Sequence, residues 1–172
     1  MRRGLTGVRA IISDDHAGLR AARRAVFPSV LWQRCQFHLQ QNAQSPVSRL
    51  DQRASLAQGI RQVFNAADLA AAQVQLKSLI AQYAKASPKL ADWLEQAIPE
   101  GLAVFDLPAA HRVRLRTTNG LERLNKEIKR RTRVAALFPN PESLLHLVTA
   151  ILGEIDDGWA TAAIYLNTNS QP

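Results

Sequence analysis

The chain has 172 residues, 47% of them hydrophobic, which suffices for one core and predicts a single domain. No apolar run approaches the ~20 residues a membrane span needs and no signal-peptide pattern opens the sequence, so a soluble, intracellular protein is expected. A formal net charge of +8 points to a polyanionic partner. The lone Cys35 has no internal disulfide partner, which suits a reducing compartment.

In chain order, Val8 to Ile12 is a short apolar run suited to a buried strand. Ala17 to Val26 carries helical spacing through Leu19, Ala22 and Val26, and Pro28 with Ser29 breaks it. Val30 to Trp32 gives a second strand, so the opening is a βαβ unit with parallel strands. Ser13, Asp14, Asp15 and His16 then fall just past the carboxyl end of the first strand, where open α/β sheets place their ligands.

From Phe37 to about Glu100 the pattern is helical throughout. One helix starts near Phe37, a second runs from Ser48 towards Phe64, and "AADLAAAQVQLKSLIAQYAKA" makes a long third. Pro88 opens a fourth with Leu90, Trp93, Leu94 and Ala97 on one face. "HRVRLRTTN" reads as an extended approach to the next helix, and "FPNPESLLHLVTAILGEI" opens a last one with Asn140 as cap and Pro141 at its first position. The tail from Thr168 is expected to be loose.

The helix "NGLERLNKEIKRRTRV" raises the sharpest question. Asn119 followed three residues later by Glu122 fits a cap-and-acid helix start. Yet Asn125, Lys126 and Lys129 stack on the same side as Glu122, while Leu121, Leu124 and Ile128 give an apolar stripe to bury. Arg112, Arg114, Arg116, Arg123, Lys126, Lys129, Arg130, Arg131 and Arg133 crowd one stretch against only Glu122 and Glu127. Clustered cations gain from counterion release on a phosphate backbone, so nucleic acid outranks membrane as partner. The spacing leaves Glu122 open between a helix cap and a functional carboxylate. If Asp14 and Glu122 meet, they offer the oxygen ligands that magnesium prefers, and two such ions can serve phosphodiester chemistry.

"SDDHAGL", "WQRCQFHLQQNA" and "RTTNGLERLNKEIKRRTRVAALFPN" together resemble the carboxy-terminal half of the Mutator-type bacterial insertion-sequence transposases, over most of the chain and in the same order. The resemblance implies an α/β, RNase H-like domain interrupted by an all-helical insertion and a catalytic Asp-Asp-Glu triad that binds magnesium or manganese. Asp14 matches the second catalytic aspartate and metal ligand, Glu122 the catalytic glutamate and metal ligand, and Lys129 a basic residue one face below it. Asp15 falls at a position that varies in the family. Cys35 and His38 match a Cys-x-x-His signature. With no second ligand pair, zinc is not expected there, and a structural role is preferred, His38 being placed to polarise or position DNA.

The implied organisation is an RNase H-like part over 1–43, a helical insertion over 44–110 and a closing part over 111–167. DNA, both element ends and target, is the implied partner. Lys126, Lys129, Arg130 and Arg131 would hold phosphates, with Arg116, Arg123 and Arg133 beside them, and Asn119 and Asn125 would orient the glutamate or touch the strand. The family's first catalytic aspartate lies upstream of anything present here. The expectation is therefore a truncated transposase in the cytoplasm, at the nucleoid, inactive alone unless Asp15 substitutes for the missing carboxylate. A non-catalytic alternative is a DNA-binding regulator acting as a homo-oligomer or in mixed oligomers with full-length enzyme.

Overall fold

The computed structural model describes residues 6–47, 49–134 and 137–161. The chain divides into two compact units, Met1–Thr118 and Asn119–Pro172, where length alone predicts one. The expected start of a helix at Ser48 and the tail from Thr168 lie outside the described residues.

The first unit opens with strand β1 (Ala10–Ser13), helix α1 (Ala17–Val26) and strand β2 (Leu31–Arg34). The strands pair in parallel, from Ala10 opposite Leu31 to Ser13 opposite Arg34. Parallel pairing needs a crossover, and α1 supplies it. β1 ends one residue and β2 two residues beyond the apolar runs that announce them, because pairing register, not local hydrophobicity, sets their ends. α1 is capped by His16, whose Nδ1 accepts the Gly18 N–H at 3.2 Å, and it closes on Arg23 and Arg24, cations suited to a helix C-terminus. None of its residues is buried: Leu19 and Val26, which carry its apolar spacing, are exposed.

Four helices follow: α2 (Gln36–Gln44), α3 (Leu50–Phe64), α4 (Leu69–Ala84) and α5 (Pro88–Ala97). Asp68 caps α4 by accepting the Ala71 N–H at 2.8 Å, and Pro88 sits in the first turn of α5, where its missing N–H costs nothing. Their apolar faces meet in one core in which Leu39, Leu56, Ile60, Val63, Leu94 and Ile98 are wholly buried. Two 3-10 turns, Ile98–Gly101 and Ala103–Asp106, continue this core. Gly101 is required by close approach: a Cβ there would stand 2.6 Å from Leu39 Cδ1 and 3.2 Å from Phe64 Cε1.

The expected extended segment at His111 to Asn119 is not extended. Ala109–Leu115 forms helix α6. Arg112 finds its partners in the preceding turn. Its guanidinium donates to Leu107 O at 3.0 Å and Phe105 O at 3.1 Å and lies 5.3 Å from the Phe105 ring, while His111 is buried.

The second unit consists of α7 (Asn119–Val134) and α8 (Pro141–Thr161). Asn140 caps α8, accepting the Ser143 N–H at 2.8 Å, with Pro141 opening the helix as its position in the sequence predicts. α7 begins at Asn119 itself, one residue earlier than the capping pattern predicts, so Asn119 lies inside the helix and Thr118 precedes it. Ile151 is the only buried apolar residue among the described residues of this unit. No described helix is long and apolar enough to cross a membrane.

Candidate functional site

At the carboxyl end of β1 the chain turns through Asp14, Asp15 and His16 into α1. Aspartates at strand ends often cap the next helix, but here His16 does so, which leaves both carboxylates for other work. Asp15 is spent on ion pairs. It accepts from Arg20 Nε and lies 3.3 Å from Arg34 Nη2. The same two arginines meet Glu100, with Arg20 Nη2 at 2.7 Å and Arg34 Nη1 at 2.8 Å. Two acids and two bases thus close a neutral ring at the strand ends. Burial lowers the Arg20 pKa, but hydrogen bonds to Asp15 and Glu100 outweigh it and hold the group above its ordinary value. Asp14, half-buried, accepts no side-chain hydrogen bond or ion pair among the described residues. Of the two neighbours, Asp14 is the one with oxygen donors to offer.

Trp32, on β2, donates its indole N–H to Ser13 Oγ at 2.9 Å, and the Arg20 and Arg23 guanidinium carbons lie 4.8 and 5.1 Å from its ring centre. It is neither a core residue nor a bare stacking surface. Cys35 follows β2, fully buried, and its sulfur accepts from the Thr118 N–H at 3.5 Å and hydroxyl at 3.4 Å. Its backbone N–H donates to Ser13 O at 2.7 Å, and the next residue, Gln36, donates its N–H to Arg116 O at 2.9 Å. Cys35 therefore pins the segment before α7 to the end of the sheet. His38 is half-buried, edge-on to Phe37 with ring centres 5.5 Å apart.

α7 separates its side chains by period. Leu124, Glu127, Ile128 and Arg131 are half-buried on one side; Asn119, Glu122, Arg123, Asn125, Lys126, Lys129, Arg130 and Arg133 are exposed on the other. Leu121, counted in the apolar stripe, remains exposed. Glu122 lies in the first turn. Arg131, expected among the phosphate-holding cations, sits on the half-buried side, where it bonds Glu127 at 2.7 Å and Glu154 of α8 at 2.5 Å. Arg130 also reaches Glu127, at 2.7 Å. Arg123, Lys126, Lys129 and Arg133 make no ion pair among the described residues. Arg116 belongs to the first unit and donates to Asn65 Oδ1 at 2.7 Å. Asp14 lies in the first unit and Glu122 in the second.

The family described as "Transposase, Mutator family" matches residues 1–162. The chain belongs to the Mutator family of transposases. It is 60% identical over 169 residues to a transposase for insertion sequence element IS406 from Burkholderia multivorans, covering 98% of this chain and 44% of that protein. It is 42% identical over 165 residues to a transposase for element ISRM5 from Rhizobium meliloti, 96% of this chain and 41% of the other. A transposase for element IS256 from Staphylococcus aureus is 33% identical over 163 residues, 91% of this chain and 40% of its own length. The Mutator chain thus spans less than half the length of these relatives.

Asp14, half-buried in the first unit, and Glu122, exposed in the second, are each hard oxygen donors of the kind that magnesium or manganese takes. Among the described residues, no three His, Cys, Asp or Glu side chains gather as a metal ion would need. The sequence gives no warning of Glu100, the residue that binds Arg20 and Arg34, since it lies 80 and 66 positions from them. Gln33 also escapes local patterns. Fully buried, it donates to Gly101 O at 2.8 Å and accepts the Val104 N–H at 2.6 Å, stitching the 3-10 turns to β2. A glutamine and an arginine at the end of an apolar strand are the only signal, because buried polar groups must find partners.

Proposed function

We propose that this chain supplies the carboxylate-bearing and DNA-holding part of a transposase that cleaves and joins DNA with magnesium or manganese on an RNase H-like scaffold. The observation that carries the reading is the exposed side of α7, where Glu122 stands among Arg123, Lys126, Lys129 and Arg133, none of these four cations being neutralised by an ion pair among the described residues. Asp14, at the end of a parallel strand and unengaged beside its ion-paired neighbour, supplies the second carboxylate. On this reading residues 44–110 are the insertion between the two catalytic parts.

Asp14 and Glu122 would hold the metal, which when bound makes water or a 3′-hydroxyl a better nucleophile and stabilises the leaving oxygen. The cations of α7 hold the strand by its phosphates, and Asn119 and Asn125 orient it or the glutamate. Arg131 serves the fold of α7 and α8. The protein acts at the nucleoid, in the cytoplasm.

The test is nicking and joining of end-labelled element-end DNA in manganese or magnesium by a full-length relative whose corresponding segment is replaced with this chain. Metal-dependent products that vanish on Asp14→Asn and on Glu122→Gln support the proposal; products that survive both changes refute it. The exposed cationic side of α7 also favours a second reading, a non-catalytic regulator. No products, together with inhibition of a full-length relative by the added chain, would select that one.

A further inference from the structure

We propose that Ser13 and Trp32 are positioning residues that fix the direction of the Asp14 carboxylate. The inference rests on the reading of Asp14 as a metal ligand. Indole N–H is a donor only, so the Ser13 hydroxyl must accept from Trp32 Nε1, at 2.9 Å. A hydroxyl has one proton, and it goes to the Asp14 carbonyl oxygen, 2.8 Å away. The direction of this relay is therefore forced.

It acts on the peptide after Asp14. The peptide before Asp14 is held separately, by the Cys35 N–H donating to Ser13 O at 2.7 Å. With both flanking peptides fixed, the backbone dihedrals of Asp14 have little freedom, while its carboxylate carries no bond of its own among the described residues. That is the arrangement a ligand needs: held from behind, open in front. Trp32 is steadied in turn by Arg20 and Arg23 over its ring, and Arg20 by Asp15 and Glu100.

The experiment titrates manganese into the isotope-labelled chain and follows paramagnetic broadening of amide signals, beside amide exchange without metal. Wild type is expected to show broadening centred on Asp14 to His16 that Asp14→Asn removes. Ser13→Ala and Trp32→Phe should each weaken binding roughly tenfold, the usual cost of losing a group behind a metal ligand, and Ser13→Thr should restore it. Without metal, both variants should speed exchange at the Cys35 amide, which donates to Ser13 O, with the helical core of α3, α4 and α5 unchanged. Affinity and exchange both like wild type in the two variants would overturn the proposal. Absent broadening in wild type, or broadening that survives Asp14→Asn, refutes the metal reading instead, and the metal-free exchange then still decides whether Ser13 and Trp32 hold the turn.

Discussion

Arg34 Nη1 stands 2.8 Å from Glu100 Oε2, joining the end of β2 to a 3-10 turn that lies 66 positions later. Arg34 is almost wholly buried, its side chain only 6% exposed, and Asp15 flanks it on the other side. A charge so placed is tolerable only while it is paired. The contact therefore makes the end of the helical segment a structural part of the turn that presents Asp14.

Glu100→Ala should destabilise the first unit by about 2–3 kcal/mol, below the 3–5 kcal/mol typical of breaking a fully buried pair, because Asp15 stays beside Arg34. Urea unfolding followed by circular dichroism measures it. A change under about 0.5 kcal/mol, the level of a surface substitution, would show that the ring contributes nothing to stability.

Gly101→Ala tests the packing beneath that turn. Its Cβ would stand 2.6 Å from Leu39 Cδ1, and Leu39 is wholly buried with little room to yield. Overpacking of this kind costs about 1–3 kcal/mol. Thermal unfolding at a Tm equal to wild type would mean that the core relaxes around the methyl group.

The ion pairs joining α7 to α8 predict a pH dependence. Hydrogen bonds from Arg130 and then Arg131 hold the Glu127 carboxyl at about 2, against an ordinary value of 4.5. Arg131 likewise holds Glu154 below its ordinary value. Folded-state values depressed in this way stabilise the protein above the unfolded pKa, and the stabilisation is lost as pH falls from about 4.5 towards 2. An NMR titration of the Glu127 carboxyl should show a midpoint near 2, rising in Arg131→Gln. A midpoint of 4.5 in the wild type would show that the pairs do not persist in solution.

Much of this architecture is legible in the sequence because local signals and tertiary demands agree there. Pro88 and Asn140-Pro141 mark helix starts with residues whose chemistry suits those positions, and the apolar runs around Ile11 and Trp32, with a helix between them to serve as crossover, pair in parallel. Arg112 shows where the reading fails. Its side chain bonds carbonyls of the preceding turn, and a segment that reads as extended is helical over Ala109–Leu115. At the candidate site, Asp14 and Glu122 are visible as carboxylates at a strand end and a helix start. The division of labour between Asp14 and Asp15 is not, because it depends on Arg20, Arg34 and Glu100 meeting from three separate segments. Arg131 looks like its basic neighbours until the helix is formed and its period turns it towards α8.

On the proposed reading the exposed side of α7 holds DNA, and anisotropy of labelled element-end duplex between about 50 and 200 mM salt measures that hold. If Arg123, Lys126, Lys129 and Arg133 each neutralise one phosphate, log affinity should fall with log salt at a slope near −3.6, roughly a hundredfold over that range. Lys126→Gln with Lys129→Gln should reduce the slope by about 2, and Glu122→Gln should bind as tightly as wild type or more so. An affinity that does not change with salt, or a slope that the double lysine substitution leaves intact, would show that this side of α7 does not hold the phosphates.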